Sequence, residues 1–174
     1  MTSPFRIGSG YDVHRLAGGL ELWLCGVKVP HSKGAVAHSD GDVAIHALCD
    51  ALLGAANLRD IGYHFPDAND EYKGMDSKIL LRRTMCMVRE KGYELGNADV
   101  TLCLQRPKVK DLIPAMQQRL AQAMQTDAEN ISIKATTTET LGFVGREEGV
   151  AAYAVALLLK TDRSSLPNQP RKRG

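Results

Sequence analysis

The stretch from His38 to Asp67 is unusually rich in groups that could take part in chemistry. Its thirty residues, HSDGDVAIHALCDALLGAANLRDIGYHFPD, contain three histidines and five acids. The remaining positions are largely apolar at helical spacing, a pattern typical of a buried helix. Each titratable group costs free energy to bury, so a helix that only packs has little use for so many. The stretch therefore favours a site of chemistry over packing alone.

His46 is the candidate metal ligand within that stretch. Asp42, His46 and Asp50 are spaced i, i+4 and i+8, so they line one edge of the predicted helix. A carboxylate one turn away can orient an imidazole that binds a metal ion. The alternative is a core histidine that is hydrogen-bonded to Asp50, and the helix by itself does not decide between the two.

Asp12 and His14, in RIGSGYDVHRL, form a second cluster. If this segment is a strand, the two side chains project from the same face, about 7 Å apart along the chain. With His46 they make a set of two imidazoles and one carboxylate, which leaves a fourth position open. A catalytic zinc site is built in this way, since the open position can accept a substrate oxygen or water. The DxH motif alone is weak, and its combination with His46 predicts the zinc site.

Helices and strands must position these residues. A helix from about Asp42 to Asn57 carries His46, and Ser39 or Asp40 can cap its first free amides. The strand that carries Asp12 is predicted to pair with Leu20 to Val29 through a tight turn at Gly18-Gly19. The other predicted elements are helices at Ser77 to Lys91, ended by Gly92, and at Lys110 to Gln125, and strands at Val100 to Gln105 and Ile131 to Ala135.

The segment from Gly149 to Lys160 is apolar throughout and fits either a buried helix or a strand. With this segment left open, the pattern predicts an α/β domain in which helices pack on one face of a mixed sheet.

Length and cysteine content fit one soluble domain. The 174 residues can bury roughly 70% of their unfolded surface, enough for one full core. The N-terminus shows no targeting segment, and no run reaches the eighteen or so apolar residues that span a bilayer, so no membrane contact is expected. The cysteines form no CxxC pair and sit among apolar neighbours, which predicts buried, reduced thiols and a cytoplasmic location. They are Cys25, Cys49, Cys86 and Cys103.

Formal charge separates the body of the chain from its end. The net charge of +2 includes +4 from Arg163, Arg171, Lys172 and Arg173, which leaves −2 on residues 1–162. A body of that charge is not expected to bind nucleic acid. Residues 163–174 are polar and contain two prolines, so we expect a disordered tail after a domain at 1–162. A basic tail could also touch RNA or anionic lipid.

A threonine cluster and two cations could bind phosphate. Ala135 to Glu139, ATTTE, places three hydroxyls at the end of a predicted strand, where hydroxyls and free amides can meet phosphate oxygens. Threonines at strand ends also occur for β-propensity alone. Lys108 and Arg146 could pair with a diphosphate, although Arg146 could equally form a surface salt bridge with one of the two glutamates that follow it. Asp60 and Glu139 could hold an oxygen-preferring ion such as Mg²⁺.

Six segments stand out together in this chain: GYDVHRL, AHSDGDVAIHALCDALLGAANLRDIGYHFPD, YKGMDS, GYELGNADVTL, RPK and IKATTTETLGFVGREEGVA. In this order and spacing, from about Phe5 to Lys160, they resemble the 2-C-methyl-D-erythritol 2,4-cyclodiphosphate synthase family. The resemblance implies a strand at Gly149 to Lys160 and a homotrimer whose active sites lie between subunits. It also implies conversion of 4-diphosphocytidyl-2-C-methyl-D-erythritol 2-phosphate to the 2,4-cyclodiphosphate, with release of CMP, in non-mevalonate isoprenoid biosynthesis.

The resemblance further implies metal and catalytic roles at matching positions. Asp12, His14 and His46 match the ligands of one zinc ion per subunit. Glu139 matches the ligand of a Mg²⁺ or Mn²⁺ ion that binds with the substrate diphosphate. The residues that match those of transition-state stabilisation are His38 and Thr137.

The substrate contacts implied by the resemblance fall into three groups. Asp60 and Gly62 match the erythritol pocket, and we use the name erythritol group for them together with the other implied substrate contacts in this part of the chain, which are Asp12, His14, His38, Ser39, Ile61, Phe65, Pro66, Asp67, Ala68 and Asn69. The cytidine and phosphate group is Leu104, Gln105, Arg106, Pro107, Lys108, Val109, Lys110, Thr136, Thr137, Thr138 and Glu139. The group at the trimer axis is Phe143 and Arg146.

Two loops depart from the family pattern. Ala68 and Asn69 stand in FPDAN where the family shows FPDTD, and LQRPKV differs around RPK. Two other functions could use the same ligands. A zinc-dependent phosphohydrolase would activate water instead of a substrate phosphate, and a metal-stabilised module would bind the nucleotide without turnover. Analysis of the products separates the three.

Overall fold

A computed structural model describes residues 3–66, 72 and 74–161. Its strands are β1 (Phe5–Gly18), β2 (Leu22–Leu24), β3 (Val27–Val29), β4 (Lys33–Val36), β5 (Tyr93–Cys103), β6 (Ile131–Thr136) and β7 (Gly149–Lys160). Five of them form one sheet in the order β4-β1-β7-β5-β6. The pairing of β5 with β6 is parallel and the other pairings in this sheet are antiparallel, so the sheet is mixed as predicted.

Four helices pack on one face of this sheet and enclose one hydrophobic core. They are α1 (Val43–Ala55), α2 (Ile61–His64), α3 (Ser77–Glu90) and α4 (Ile113–Met124), and the short helix α5 (Gly142–Gly145) lies just before β7. The apolar face of α1 lies directly on β1 and β7, while α3 packs on α1 and α4 packs on β6. The prediction of helices on one face of a mixed sheet is confirmed.

Two glycines of β1 bring α1 unusually close to the sheet. A Cβ atom at Gly8 would lie 1.9 Å from the carbonyl oxygen of Ala51, and one at Gly10 would lie 1.9 Å from that of Ala47. Side chains at these positions would force the helix away, so the helix backbone rests on the strand backbone. This contact places the N-terminal half of α1 beside the residues that follow Gly10 on β1.

The alternation of β1 divides its side chains between the two faces of the sheet. Gly8, Gly10, Asp12 and His14 share the face that α1 covers, because successive side chains of a strand point in opposite directions. The intervening residues of β1 and their partners on β7 form an exposed apolar surface on the other face. We call it the outer sheet face, and it comprises Phe5, Ile7, Tyr11, Val13, Tyr153, Val155 and Leu159.

The predicted strand from Leu20 to Val29 is wrong. It is interrupted at Cys25-Gly26, and the two short strands β2 and β3 pair with each other in a separate sheet. Both turn residues have positive φ, 51° and 75°, and the apolar character of LELWLCGVKV hides that turn. The partner of β1 along this edge is β4.

The other predicted elements are confirmed, with one change of boundary. The helix of His46, the two later helices and the strand at Ile131 appear within a few residues of their predicted bounds. Gly149–Lys160 is a strand, as the resemblance implied. The strand predicted from Val100 begins at Tyr93, because a β-bulge between Leu95 and Asn97 breaks the alternation in that part of the sequence.

All four cysteines are free thiols, but they are not all buried. Cys25 and Cys49 are buried, Cys103 is partly buried and Cys86 is exposed. The prediction of buried thiols is therefore wrong for Cys86, which lies on the solvent side of α3. Among the described residues, no helix is both long enough and apolar enough to cross a membrane.

Asp42, rather than the predicted Ser39 or Asp40, caps α1. Its fully buried carboxylate accepts hydrogen bonds from the backbone N–H groups of Ile45, Cys25 and Gly26, at 3.1, 2.9 and 2.6 Å. Burial raises the pKa of Asp42, and the three donors oppose that rise. One side chain therefore closes the start of α1 and also holds the turn between β2 and β3.

We expect Asp42→Ala to lower the free energy of unfolding by about 3 kcal/mol. About 1 kcal/mol comes from loss of the helix cap, and the rest from two buried N–H groups left without partners. Denaturant titration at fixed protein concentration measures the change. Asp76→Ala is the matched control, because Asp76 caps α3 with a partly exposed side chain, and about 1 kcal/mol is expected there. Equal losses in both variants would contradict the role given to Asp42.

Candidate metal and substrate site

Asp12, His14 and His46 meet at the junction of β1 and α1. Nδ1 of His46 lies 3.1 Å from Oδ2 of Asp12 and 3.1 Å from Nε2 of His14. Oδ2 of Asp12 and Nε2 of His14 are 3.3 Å apart. Among the described residues, these three make up the one group of His, Cys, Asp and Glu side chains that could hold a metal ion. The prediction that Asp12 and His14 of the DxH motif lie beside His46 is confirmed.

The spacing of the three donor atoms fits a tetrahedral ion. Ligand atoms at 2.0–2.1 Å from a tetrahedral zinc are about 3.3 Å from each other, and the three distances here are 3.1, 3.1 and 3.3 Å. The donor set, two imidazoles and one carboxylate, suits zinc and related divalent ions. The three donors leave a fourth tetrahedral position for a ligand from outside the chain.

The two imidazoles have opposite pKa shifts. Burial lowers the pKa of His14, and the neighbouring carboxylate of Asp12 opposes this shift. Burial also acts to lower the pKa of His46, but the hydrogen bond and charge of Asp12 outweigh it, helped by Asp42 and Asp40, and the pKa is raised. Metal binding requires both rings to be neutral at the ligating nitrogen, so a bound cation competes with protons here and acid weakens its affinity.

In the structure the His46 ring has hydrogen-bond partners other than the predicted Asp42 and Asp50. Asp42 caps the helix, and Asp50 accepts a hydrogen bond from the backbone N–H of Ile61 at 2.7 Å. Nε2 of His46 instead lies 3.0 Å from Oγ of Ser77 and 3.1 Å from Oγ of Ser39. No spacing rule reaches Ser77, because it lies 31 residues from His46 at the start of another helix.

A cavity of about 330 Å³ surrounds the three candidate ligands. Its lining includes five other predicted substrate contacts, His38, Ser39, Ile61, Gly62 and Phe65, and also Asp50. Nε2 of His38 is buried without a hydrogen-bond partner in the described part of the chain. We call this space the metal cavity.

The remaining five members of the erythritol group lie apart from the metal cavity or outside the described residues. Asp60 does not line the cavity and caps α2, where its Oδ1 accepts from the N–H of Tyr63 at 2.9 Å. Pro66 is exposed after α2. Asp67, Ala68 and Asn69 lie outside the described residues, so their predicted contacts stay predictions.

Most of the cytidine group lines a second cavity, of about 400 Å³, which we call the nucleotide cavity. Its wall is formed by the loop after β5 and the end of β6 and includes Leu104, Gln105, Pro107, Lys108, Val109, Lys110, Thr136 and Thr137. Arg106 faces an adjacent cavity of about 540 Å³ beside His31. No described residue lines both the nucleotide cavity and the metal cavity.

The ATTTE segment has the predicted position at the end of β6. Oγ1 of Thr137 donates to Oε1 of Glu139 at 2.6 Å, and Oγ1 of Thr138 donates to the carbonyl of Leu141 at 2.6 Å. Glu139 has a φ of 51°, which turns the chain sharply there. Neither Glu139 nor Asp60 belongs to the metal-binding group, and within one chain the structure does not bring these two carboxylates together with the triad.

Within the chain, Arg146 forms the surface salt bridge that the sequence analysis gave as the alternative to binding a diphosphate. Its guanidinium donates two hydrogen bonds of 3.0 Å to the carboxylate of Glu148, and both side chains are well exposed. Phe143, on α5, is exposed and packs against Gly149, where a Cβ atom would lie 3.0 Å from its ring. The metal and nucleotide cavities do not include either residue.

Comparison with known proteins identifies close relatives over nearly the whole described chain. A profile described as the YgbB family matches residues 5–159. The 2-C-methyl-D-erythritol 2,4-cyclodiphosphate synthase of Porphyromonas gingivalis is 62% identical over 159 residues, 91% of this chain and 98% of the relative. The synthase of Bacteroides thetaiotaomicron is 61% identical over 155 residues, with 89% of this chain and 98% of the relative covered.

Solved structures have the same fold. The bifunctional IspDF protein of Campylobacter jejuni matches with a TM-score of 0.88 and 44% identity, covering 91% of this chain and 43% of that longer one. The IspF protein of Plasmodium falciparum, in complex with CDP, matches with a TM-score of 0.81 and 31% identity, covering 93% of this chain and 100% of that one.

We expect His46→Ala to abolish binding of a divalent ion while the chain remains folded, because the site lies on a full core and the loss removes one of three ligands. Titration with Co²⁺, followed by visible absorption, measures the binding, and circular dichroism checks the fold. His31→Ala is the control, since His31 lies between β3 and β4 and does not line the metal cavity. Undiminished Co²⁺ affinity in folded His46→Ala would rule out the triad as the metal site.

Proposed function

Because the chain belongs to the YgbB family, we propose that it converts 4-diphosphocytidyl-2-C-methyl-D-erythritol 2-phosphate to 2-C-methyl-D-erythritol 2,4-cyclodiphosphate and CMP. The reaction is an intramolecular phosphoryl transfer, in which the 2-phosphate attacks the β-phosphorus of the diphosphate and CMP leaves. The product belongs to non-mevalonate isoprenoid biosynthesis, and we place the enzyme in the cytoplasm. The observation that carries the proposal is the triad of Asp12, His14 and His46 at the edge of a cavity, in a chain 62% identical to a named synthase.

The reaction demands that two anionic groups be brought together while charge builds on the bond that breaks. Little covalent work falls to the protein, so positioning and electrostatics supply most of the catalysis. The triad is proposed to hold one zinc ion per subunit, which when bound polarises a phosphate oxygen. Ser39 and His38 line the same cavity, and a hydroxyl and an unpaired imidazole nitrogen there can hydrogen-bond to phosphate oxygens.

The nucleotide cavity is proposed to bind the CDP half of the substrate. Its loop from Leu104 to Lys110 presents backbone groups that can read the base, and Lys108 adds a cation for the diphosphate. The CDP complex of the related Plasmodium falciparum protein supports a cytidine ligand. Thr137 is proposed to stabilise the transition state, and Glu139 to hold Mg²⁺ or Mn²⁺ on the diphosphate.

The separation of the two cavities within one chain supports an active site that is shared between chains. The metal cavity and the nucleotide cavity have no described residue in common, although one substrate must occupy both. The outer sheet face is apolar and exposed, with Ile7 at 73%, and such a face in an isolated chain marks an association surface. We propose a homotrimer in which each site joins the metal cavity of one chain to the nucleotide cavity of the next.

We expect purified protein with Zn²⁺ and Mg²⁺ to convert the diphosphocytidyl substrate to the cyclic diphosphate and CMP in equal amounts. Phosphorus NMR identifies the products, because a cyclic diphosphate and a linear phosphate have different spectra. Linear products with free phosphate would replace the proposal by a phosphohydrolase. Binding of the substrate without turnover would replace it by a nucleotide-binding module.

We expect co-expressed His46→Ala and Thr137→Ala chains, each nearly inactive alone, to recover roughly a quarter of wild-type activity. In random closed rings each site takes its metal half and its nucleotide half from different chains, so both halves are intact with a probability of about one half times one half. Turnover by the whole co-expressed population measures this recovery, and isolated mixed trimers, in each of which one site of three is intact, should reach about one third of wild-type activity.

The control pairs His46→Ala with Asp12→Ala. Both changes damage the metal half, so no arrangement of these chains restores a site. Any activity gained merely because mixed trimers are more stable would appear in this control as well. Mixed trimers of His46→Ala and Thr137→Ala that are no more active than this control pair would refute the shared site.

A further inference from the structure

Ser77 is the nearest partner of His46 on the side of the ring that faces away from the other two ligands. Its Oγ lies 3.0 Å from Nε2 of His46, while Nδ1 of the same ring faces Asp12 and His14. Ser77 is fully buried at the first position of α3. A buried hydroxyl at that distance is in hydrogen-bond contact with the ring.

Asp40 determines which way that hydroxyl points. Oδ1 of Asp40 lies 2.5 Å from Oγ of Ser77, and Oδ2 accepts the backbone N–H of Ser77 at 3.0 Å. A carboxylate can only accept, so the Ser77 hydroxyl donates its proton to Asp40. The lone pairs of Oγ are then left to accept from Nε2–H of His46.

In the neutral ring that binds a metal ion, this arrangement selects the tautomer of His46. A neutral imidazole carries one proton, and a hydrogen bond from Nε2–H leaves the lone pair on Nδ1. Nδ1 is the nitrogen that faces Asp12 and His14. We propose that Ser77, oriented by Asp40, is a positioning residue that holds His46 in the ring orientation and tautomer that bind the metal ion. The proposal rests on the metal site described under the proposed function.

Ser39 approaches the same nitrogen but is held differently. Its Oγ lies 3.1 Å from Nε2 of His46 and accepts the N–H of Gly41 at 3.2 Å. Ser39 is partly exposed and lines the metal cavity. No described carboxylate fixes its hydroxyl, which can therefore turn toward a ligand in the cavity, so the structure assigns the orientation of His46 to Ser77.

The same contacts join the metal ligand to the segment that carries His38. The N–H of Asp40 donates to the carbonyl of Met75 at 3.1 Å, and the N–H of Gly74 donates to the carbonyl of His38 at 2.7 Å. These two hydrogen bonds and the two between Ser77 and Asp40 connect the loop before α1 to the start of α3. The orientation of His46 and the position of His38 therefore depend on one set of contacts.

The test compares the affinity for Zn²⁺, by chelator competition without substrate, of wild type, Ser77→Ala, Ser39→Ala and Thr84→Val. Loss of a hydrogen-bond partner behind a metal-binding histidine lowers metal affinity by about 10–100-fold. We expect this loss in Ser77→Ala, with a changed Co²⁺ absorption spectrum and with turnover largely restored at saturating Zn²⁺. Thr84→Val is the matched control, because Thr84 is a fully buried hydroxyl residue about two turns further along α3 and its variant keeps wild-type affinity.

Unchanged affinity in Ser77→Ala, or an equal loss in Ser39→Ala, overturns the proposal. If Ser77→Ala does not fold, long-range proton–nitrogen NMR of histidines in the zinc-loaded wild type decides. The expected spectrum shows His46 bound through Nδ1 and a slowly exchanging proton on Nε2, and a metal bond to Nε2 overturns the proposal. Because no substrate is present in the affinity and NMR measurements, their outcome is separate from that of the product analysis.

Discussion

The close backbone contact between α1 and β1 is the constraint on which the rest of the site depends. At Gly8 and Gly10 a Cβ atom would come within 1.9 Å of a helix carbonyl, so any larger residue would push the helix outward. Imidazole and carboxylate side chains are short, and three donor atoms converge to about 3.2 Å only if their two elements nearly touch. The site is therefore built on two elements whose backbones are in close contact, which reduces the reorganisation that metal binding requires.

The period-two alternation of β1 couples the metal site to the outer sheet face. Asp12 and His14 point toward α1, while Tyr11 and Val13, their immediate neighbours, point away from it into the exposed apolar face. A shift in the register of β1 against β7 by one residue would turn the ligands outward and the apolar residues inward. The eleven paired positions between these strands, from Phe5↔Leu159 to Arg15↔Gly149, fix both surfaces at once.

Sequence spacing could predict the ligands but not the groups that orient them. The i, i+2 and i, i+4 rules work within one element, and they found Asp12, His14 and the helix edge of His46. Asp42 and Asp50 satisfied the same rule and yet bind backbone N–H groups of other segments. Ser77 comes from a helix whose position depends on tertiary packing, and no local pattern contains that information.

Charge explains why the two cavities suit one anionic substrate only in combination. One carboxylate and two neutral imidazoles around a divalent ion would leave a net charge of about +1 at the metal centre itself, and the side chain of Asp50 also lines the cavity. The nucleotide cavity presents the cations of Lys108 and Lys110. A diphosphate and a monophosphate together carry more negative charge than either cavity offsets, and burying the excess would be costly. In the homotrimer proposed above, the interface would bring both sources of positive charge together before a substrate that spans both cavities arrives.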